Sequence, residues 1–423
     1  MDKRIYLCLA HMSGQEQKYI QEAFDTNWVV PLGPNVNGFE QDLQTFVTST
    51  PLATPAITAK QVVALSAGTA AVHLALIACG VQAGDEVCVQ SFTFCASSHP
   101  ICYLGATPIF IDSERDTWNM DPKLLEQAII DRKNKTGRYP KAIIVVALYG
   151  MPYRILEIMA IADKYQIPVI EDAAEGLGSR FRGQMLGTFG RYGVLSFNGN
   201  KMITTSGGGA LICPDEQAKQ RVMWYATQAR DSYPYYQHTE IGYNYRMSNI
   251  CAGIGRGQMT VLNAHIRHHQ HIQQLYCRLM TDIPGIHMHT APEPDFDSNY
   301  WLCTFTMDES VQVRNQHIAY QHPVSAAVGG AAGVIRVADH TVTDCQPNAN
   351  VEALRLALDE AGIESRPLWK PMHRQPVYAD APAYLNGVSE DIFHRGMCLP
   401  SGPMVSEEDV HYIVQTIKHN ILL

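Results

Sequence analysis

Three things are missing from the sequence: a Cys-x-x-Cys pair, a run of basic residues, and a long uninterrupted apolar stretch. Each absence excludes something. The eleven cysteines are scattered and odd in number, and several sit inside apolar runs, so they read as reduced, buried thiols of a cytosolic protein rather than a disulfide framework or a paired-thiol metal site. With a formal net charge of −9 and no cationic cluster, there is no surface for a phosphate backbone, and no nucleic-acid partner is expected. A local pocket can still oppose the net field and take an anionic small molecule. Nothing reaches the ~18 consecutive apolar residues of a membrane span. The opening "MDKRIYLCLAHMSGQEQ" meets charge too soon for a signal peptide. The expectation is a soluble, cytoplasmic chain.

What is present is a chain of 423 residues, 46% hydrophobic and 17% charged, long enough for two domains. Short β-branched runs alternate with helical periodicity from residue 61: "QVVAL" (61–65), "DEVCVQ" (85–90), "TPIFID" (107–112), "KAIIVVALYG" (141–150), "PVIED" (168–172), "GVLSF" (193–197) and "GGALIC" (208–213). Between them run helical stretches such as "TAAVHLALIACG", an apolar segment to Gly105, and "DPKLLEQAIIDR", with Asp121 as its N-cap. This alternation predicts an α/β fold with a mostly parallel sheet covered on both faces. Beyond about residue 250 the pattern changes. "GRGQMTVLNAHIRHHQHIQQLYCRLM" (255–280) predicts one long helix and "SNYWLCTFTMD" (298–308) a strand. Residues 321–350 are turn-rich and read as a loop, with Asn350 capping "VEALRLALDEAG" and Gly362 ending that helix. The expected division is a large domain over 1–255 and a smaller α+β domain over 256–423.

Ligands of open α/β sheets collect at the carboxyl ends of the strands, and three features fall there. "SAGTAAVHLAL" (66–76) places Gly68 and Thr69 where a strand turns into a helix, which suits a phosphate as well as an ordinary capped helix. "VIEDAAEGLGS" (169–179) ends a buried strand in Glu171 and Asp172, with Glu175 three residues on; it fits a flat ligand or first-turn helix acids. "SFNGNKMITTSGGGAL" (196–211) carries Lys201 between small-residue turns. A nucleotide-binding P-loop needs a glycine before the lysine and a hydroxyl after it, but Asn200 and Met202 stand there. The neighbours are not a charged surface pattern either. Imine chemistry at the amine remains. A phosphate cradle, an acid and a lysine together are the requirements of pyridoxal 5′-phosphate.

These stretches, with "GYNYRMSNI" (242–250) and "RPLWKPMH" (366–373), resemble the DegT–StrS sugar-nucleotide aminotransferases, a branch of the aspartate-aminotransferase-like fold type I enzymes, over nearly the whole chain. "TQARDS" (227–232) and "YLNGVSEDIFHRGMCLPSG" (384–402) resemble the subgroup acting at C4 of UDP-4-keto-6-deoxy-N-acetylglucosamine in bacillosamine biosynthesis. The resemblance implies that Lys201 forms the Schiff base and moves the proton, and that Asp172 pairs with the pyridinium nitrogen. It implies Glu175 near the phenolic oxygen, where the family often has Gln or His, Phe94 stacked on the ring, and Ser196 joining Gly68 and Thr69 at the phosphate. Asn244 would reach the cofactor of a neighbouring subunit in a homodimer with shared sites. L-glutamate would be the amino donor in a ping-pong cycle. Trp28, Arg230, Arg246, Arg366 and His373 are the candidates for substrate contacts. The family usually reads S-G-T-A at the phosphate turn; here Ala67 removes one hydroxyl, although backbone N–H groups can still serve.

Two rivals share the motifs. Related sugar dehydratases carry histidine where this chain has Lys201, and a regulator could hold the cofactor without turnover. His265 and His269 are spaced to share a helix face, and His287 and His289 a strand face, but no nearby Cys or acid completes a metal site.

Overall fold

The computed structural model describes residues 4–51, 53–316 and 345–422. The seven strand segments expected in the first half all form: β1 (Gln61–Leu65), β2 (Glu86–Gln90), β3 (Thr107–Ile111), β4 (Ala142–Val146), β5 (Val169–Asp172), β6 (Tyr192–Ser196) and β7 (Gly209–Cys213). Their spatial order is β1-β7-β6-β5-β4-β2-β3, and a short strand at Ala383–Tyr384 adds in parallel beyond β3. Only β7 is reversed; it pairs antiparallel with both β1 and β6, and the other pairs are parallel. Parallel strands buried on both faces must be apolar throughout, and alternate side chains of each strand feed two different cores. Val62, Ala64, Ile143 and Val145 pack on one side, while Val63, Leu65, Ala142 and Ile144 pack on the other.

Helices α1 (Glu16–Asp25), α2 (Pro34–Thr48), α3 (Gly68–Ala78), α4 (Asn249–Met259) and α5 (Leu262–Met280) frame the sheet. The first side is covered in part by α2, through Val36, Phe39, Leu43 and Val47. The second is covered by α3, whose Ala71, Val72, Leu74, Ala75 and Leu76 are buried. Asp121 caps the helix Pro122–Thr136 as its sequence predicts, accepting from Lys123 N at 2.8 Å.

The single helix expected over 255–280 is two. α4 ends at Met259, where Thr260 N–H and Val261 N–H turn back to Gly257 and Gln258 in three-residue steps. Glycines set the path of α4: a Cβ on Gly255 would stand 2.7 Å from the Phe39 ring, and one on Gly257 2.8 Å from Glu16 N. The strand expected over 298–308 is confined to Cys303–Met307; before it Tyr300 has φ 48°, which no strand tolerates. Asn350 is not the cap of the next helix. Asn348 is, accepting from Val351 N at 2.9 Å, while Asn350 bonds the backbone of Val311 and Val313. Gly362 follows that helix with φ 75°, the left-handed exit glycine favours. Of the loop expected over 321–350, residues 321–344 lie outside the described residues.

A second, four-stranded sheet runs in the order Ile286–Met288, Cys303–Met307, Gly396–Leu399, Arg366–Pro367. Its core gathers α5 with the helices Ala349–Glu360 and Glu407–Asn420. Ile5 from the start of the chain joins this core, pairing with Ile363. Residues 383–384 thus complete the large sheet from the second half of the chain, and Ile5 from the chain start packs into the core of the small one.

Candidate functional site

The carboxyl ends of β1, β4, β5 and β6 open into one cavity of about 250 Å³. Its wall includes Gly68, Thr69, Phe94, Asp172, Glu175, Ser196 and Lys201. The first N–H groups of a helix have no partner within it, and α3 receives no side-chain cap at its start. Those donors at Gly68 and Thr69 face the cavity beside Ser196 and the Gly207–Gly208 turn. Two glycines allow this seat. A Cβ on Gly68 would come 3.1 Å from Ser196 Cβ, and one on Gly209 would come 2.4 Å from Gly68 N. A helix start so held, with a serine hydroxyl beside it, is an anion cradle.

Glu171 and Asp172 end β5 on opposite faces, as strand alternation requires. Glu171 is turned away from the cavity and accepts the Gly187 and Gly190 N–H groups at 2.9 and 2.5 Å, so its role is structural. Asp172, 5% exposed, lines the cavity and accepts from Ser97 Oγ at 2.6 Å and Ala174 N at 3.1 Å. Thr93 Oγ1 lies 2.8 Å behind Ser97 Oγ. Burial holds the Asp172 carboxyl above its ordinary value, against the pull of these donors and of Lys201. A cationic ring nitrogen would relieve that penalty.

Burial likewise pushes the Glu175 carboxyl up, and Lys201 pulls it down. Glu175 Oε2 accepts the Tyr149 N–H at 2.7 Å, and Tyr149 holds φ 53°, a strained value for an aromatic residue. Lys201 Nζ lies 3.4 Å from Glu175 Oε1 and 4.0 Å from the centroid of the Trp301 indole. The phosphate cradle, the buried acid and the lysine fit pyridoxal 5′-phosphate.

The remaining candidates lie outside this cavity among the described residues. Arg246 is committed to a buried ion pair with Glu40 at 2.8 Å, with side chains 7% and 6% exposed. Arg366 bonds Glu364 at 3.1 Å. His373 is buried between Ser91 Oγ at 2.7 Å and Glu390 Oε1 at 3.0 Å. That line has the composition of a hydrolytic triad, but Ser91 is fully buried and cannot meet a substrate. Arg230 is exposed, its guanidinium 4.2 Å from the Tyr236 ring. Trp28 is exposed in an apolar strip with Val29, Val30 and Leu32. Asn244 is exposed on a segment that runs along β1, where Tyr245 O accepts the Ser66 N–H at 2.8 Å.

Sequence reasoning missed Ser97, Tyr149, Trp301 and Trp369, all at or behind the cavity. Ser97 stands three residues after Phe94, in "SFTFCAS" (91–97); the signal for Trp301 was the polar "SNYW" interrupting a strand pattern. His265 and His269 are buried and bond the carbonyls of Met202 and Tyr300, and no group of metal-ligating side chains occurs among the described residues.

A large mixed sheet with this cavity at its carboxyl edge defines a fold type I pyridoxal-phosphate enzyme. Residues 10–329 and 333–418 match the profile of the DegT/DnrJ/EryC1/StrS aminotransferase family. The chain is 43% identical over 424 residues to EpsN of Bacillus subtilis (strain 168), named as a candidate pyridoxal phosphate-dependent aminotransferase, covering 99% of this chain and 96% of that one. It is 33% identical over 411 residues to the GDP-perosamine synthase of Escherichia coli O157:H7, covering 96% and 95%. A DegT DnrJ EryC1 StrS aminotransferase from Brucella abortus superposes with a TM-score of 0.79 at 25% identity, covering 96% and 95% of the two chains. The chain belongs to the DegT/DnrJ/EryC1/StrS family and is a pyridoxal-phosphate-dependent aminotransferase. No helix among the described residues is long and apolar enough to cross a membrane.

Proposed function

We propose that the protein transfers an amino group from L-glutamate to C4 of UDP-4-keto-6-deoxy-N-acetylglucosamine, the step that makes a bacillosamine-type sugar, and that it works as a homodimer. The convergence of Lys201, Asp172, Glu175, Ser196 and the free start of α3 in one cavity supports the catalytic part of this reading. The bound cofactor supplies a ring that withdraws electrons from a carbon losing its proton. Asp172, buried in the cavity wall, would keep positive charge on the ring nitrogen. With the cofactor bound, Lys201 Nζ would take and hold the proton of the donor's carbon in the first half of the cycle and would give a proton back in the second half, for the sugar. Gly68, Thr69 and Ser196 would hold the phosphate, and Phe94, on the same cavity wall, would pack against the ring. Asn244, exposed beside β1, completes the phosphate site of the neighbouring subunit.

The exposed apolar stretch of Trp28, Val29, Val30 and Leu32 supports burial of that segment against a second copy. The choice of sugar rests on the stretches 227–232 and 384–402. A relative named for a GDP-linked sugar makes another nucleotide-linked keto sugar, aminated at C3 or C4, the second reading.

Mass spectrometry of products from a panel of UDP-, GDP- and dTDP-linked 3-keto and 4-keto sugars with glutamate tests the substrate. Turnover confined to a GDP- or dTDP-linked sugar would remove the UDP proposal. Borohydride should bleach the imine absorbance and leave its label on Lys201, and Lys201→Ala should lose both label and activity. Glutamate alone should convert the holoenzyme to the pyridoxamine spectrum; a cofactor-holding regulator would not convert.

A further inference from the structure

Trp301 is more than a filler of the core. It is 2% exposed and fixed at three points: its N–H donates to Asn299 Oδ1 at 2.8 Å, its carbonyl accepts from Ser401 Oγ at 2.8 Å, and its indole Nε1–H donates to Asn200 O at 2.7 Å. The last bond joins the ring to the residue before Lys201, so indole and lysine backbone are held together. Asn299 ties the same segment to the acid side of the cavity, donating from Nδ2 to Glu175 O and Leu177 O, both at 2.9 Å. The outcome is a two-sided seat. Lys201 Nζ has the Glu175 carboxylate at 3.4 Å and the indole centroid at 4.0 Å.

An ammonium over an aromatic face is attracted by the ring quadrupole, most strongly for tryptophan and more when water is excluded. We infer that Trp301 is a positioning residue for Lys201: the indole seats the amine as an ammonium in the cofactor-free chain and once it has taken up the donor's proton, and the bond to Asn200 returns that nitrogen to one place. In a cycle where the donor displaces the lysine and the lysine then serves as base, the released amine needs a defined position. This inference rests on the reading of Lys201 as the reacting amine.

The test uses the full chain stripped of cofactor. Acetic anhydride acetylates only the neutral amine, and peptide mass spectrometry gives the rate at Lys201 relative to Lys123, which is exposed. Tryptophans carrying one to four ring fluorines, incorporated site-specifically at position 301, keep the shape and the Nε1–H while draining the π face. Relative acetylation of Lys201 at neutral pH should rise stepwise with fluorine number, reaching at least threefold, with the thermal midpoint unchanged. A merely structural role would leave the series flat, and a flat series overturns the inference. Trp301→Phe retains a weaker face and loses the Asn200 bond, so it should also acetylate faster; should it fail to fold, the fluorine series decides alone. Borohydride mapping on the wild-type holoenzyme separates the two readings. A label away from Lys201 defeats the functional proposal, whereas a flat series with the label on Lys201 defeats only the role of Trp301.

Discussion

At the scale of single residues, the cavity shows charges held at a cost. Asp172 is buried, and its carboxyl is raised because burial penalises the ionised form more than Ser97, Ala174 and Lys201 favour it. A group raised on folding stabilises the fold at pH below its unfolded value, near 3.9, and that contribution fades as pH climbs through the folded value. In the cofactor-free chain, Asp172→Asn is therefore expected to raise the thermal midpoint at neutral pH and to make no difference below about pH 3.5. In the holoenzyme the same change should lower kcat by about 100-fold or more, since the charge at the ring nitrogen is lost. A melting series across pH and a steady-state assay check the two halves. Arg246 illustrates the opposite economy. Glu40 accepts from Arg246, from Lys219 Nζ at 3.1 Å and from the Ala64 N–H at 2.9 Å, all within the fold. Glu40→Ala would strand the buried guanidinium, with an expected loss of about 3–5 kcal/mol in urea unfolding.

At the scale of elements, the proposed phosphate seat rests on how closely α3 approaches β7. Gly209 has Gly68 N and Ala67 C where its Cβ would lie, at 2.4 and 2.5 Å. Gly209→Ala must push the start of α3 away from the strand. The expected result is a loss of about 1–3 kcal/mol of stability, and a weakened cofactor affinity measured by fluorescence titration. Secondary structure was legible where local chemistry settles it. The apolar runs gave the seven strands, and Asp121 gave its helix start because the cap acts within three residues. The single helix over 255–280 was not legible as two. Its break at Thr260–Val261 follows from the docking of a glycine-lined α4 on α1 and α2, which no local pattern records. Asn348 and Asn350 are both competent caps; contact with Val311 and Val313, distant in sequence, decided between them.

At the scale of the whole molecule, the chain start is structural. Glu16 opens α1, accepting from Ser13 N at 2.7 Å, Gly14 N at 3.0 Å and Gln258 Nε2 at 2.7 Å. Burial would raise its carboxyl, but these donors outweigh it and bring it to about 2. A lowered carboxyl stabilises the fold above its unfolded value near 4.3, and the contribution disappears as pH falls through about 2. Glu16→Gln should therefore lower the melting temperature at pH 7 and match the wild type near pH 2. For the proposed dimer, light scattering should give twice the chain mass. Asn244→Ala and Lys201→Ala proteins, each inactive alone, should regain activity when mixed and refolded, since a mixed dimer has one intact site. Mixtures without recovered activity would mean that each subunit builds its site unaided.

The sequence by itself determined the large sheet, the family and the cofactor chemistry, because strand apolarity, capping and the lysine and acid motifs are contiguous in the chain. It also marked seven of the residues that line the cavity, since strand ends and the turns after them must meet at one edge of a parallel sheet. Only the tertiary structure decided that Glu171 faces away while Asp172 faces in, that Arg246 and His373 serve buried ion and hydrogen-bond networks, and that Trp301 lies under the Lys201 amine. Those outcomes depend on partners far away in sequence, and the identity of a polar residue does not say which distant group will satisfy it once water is excluded.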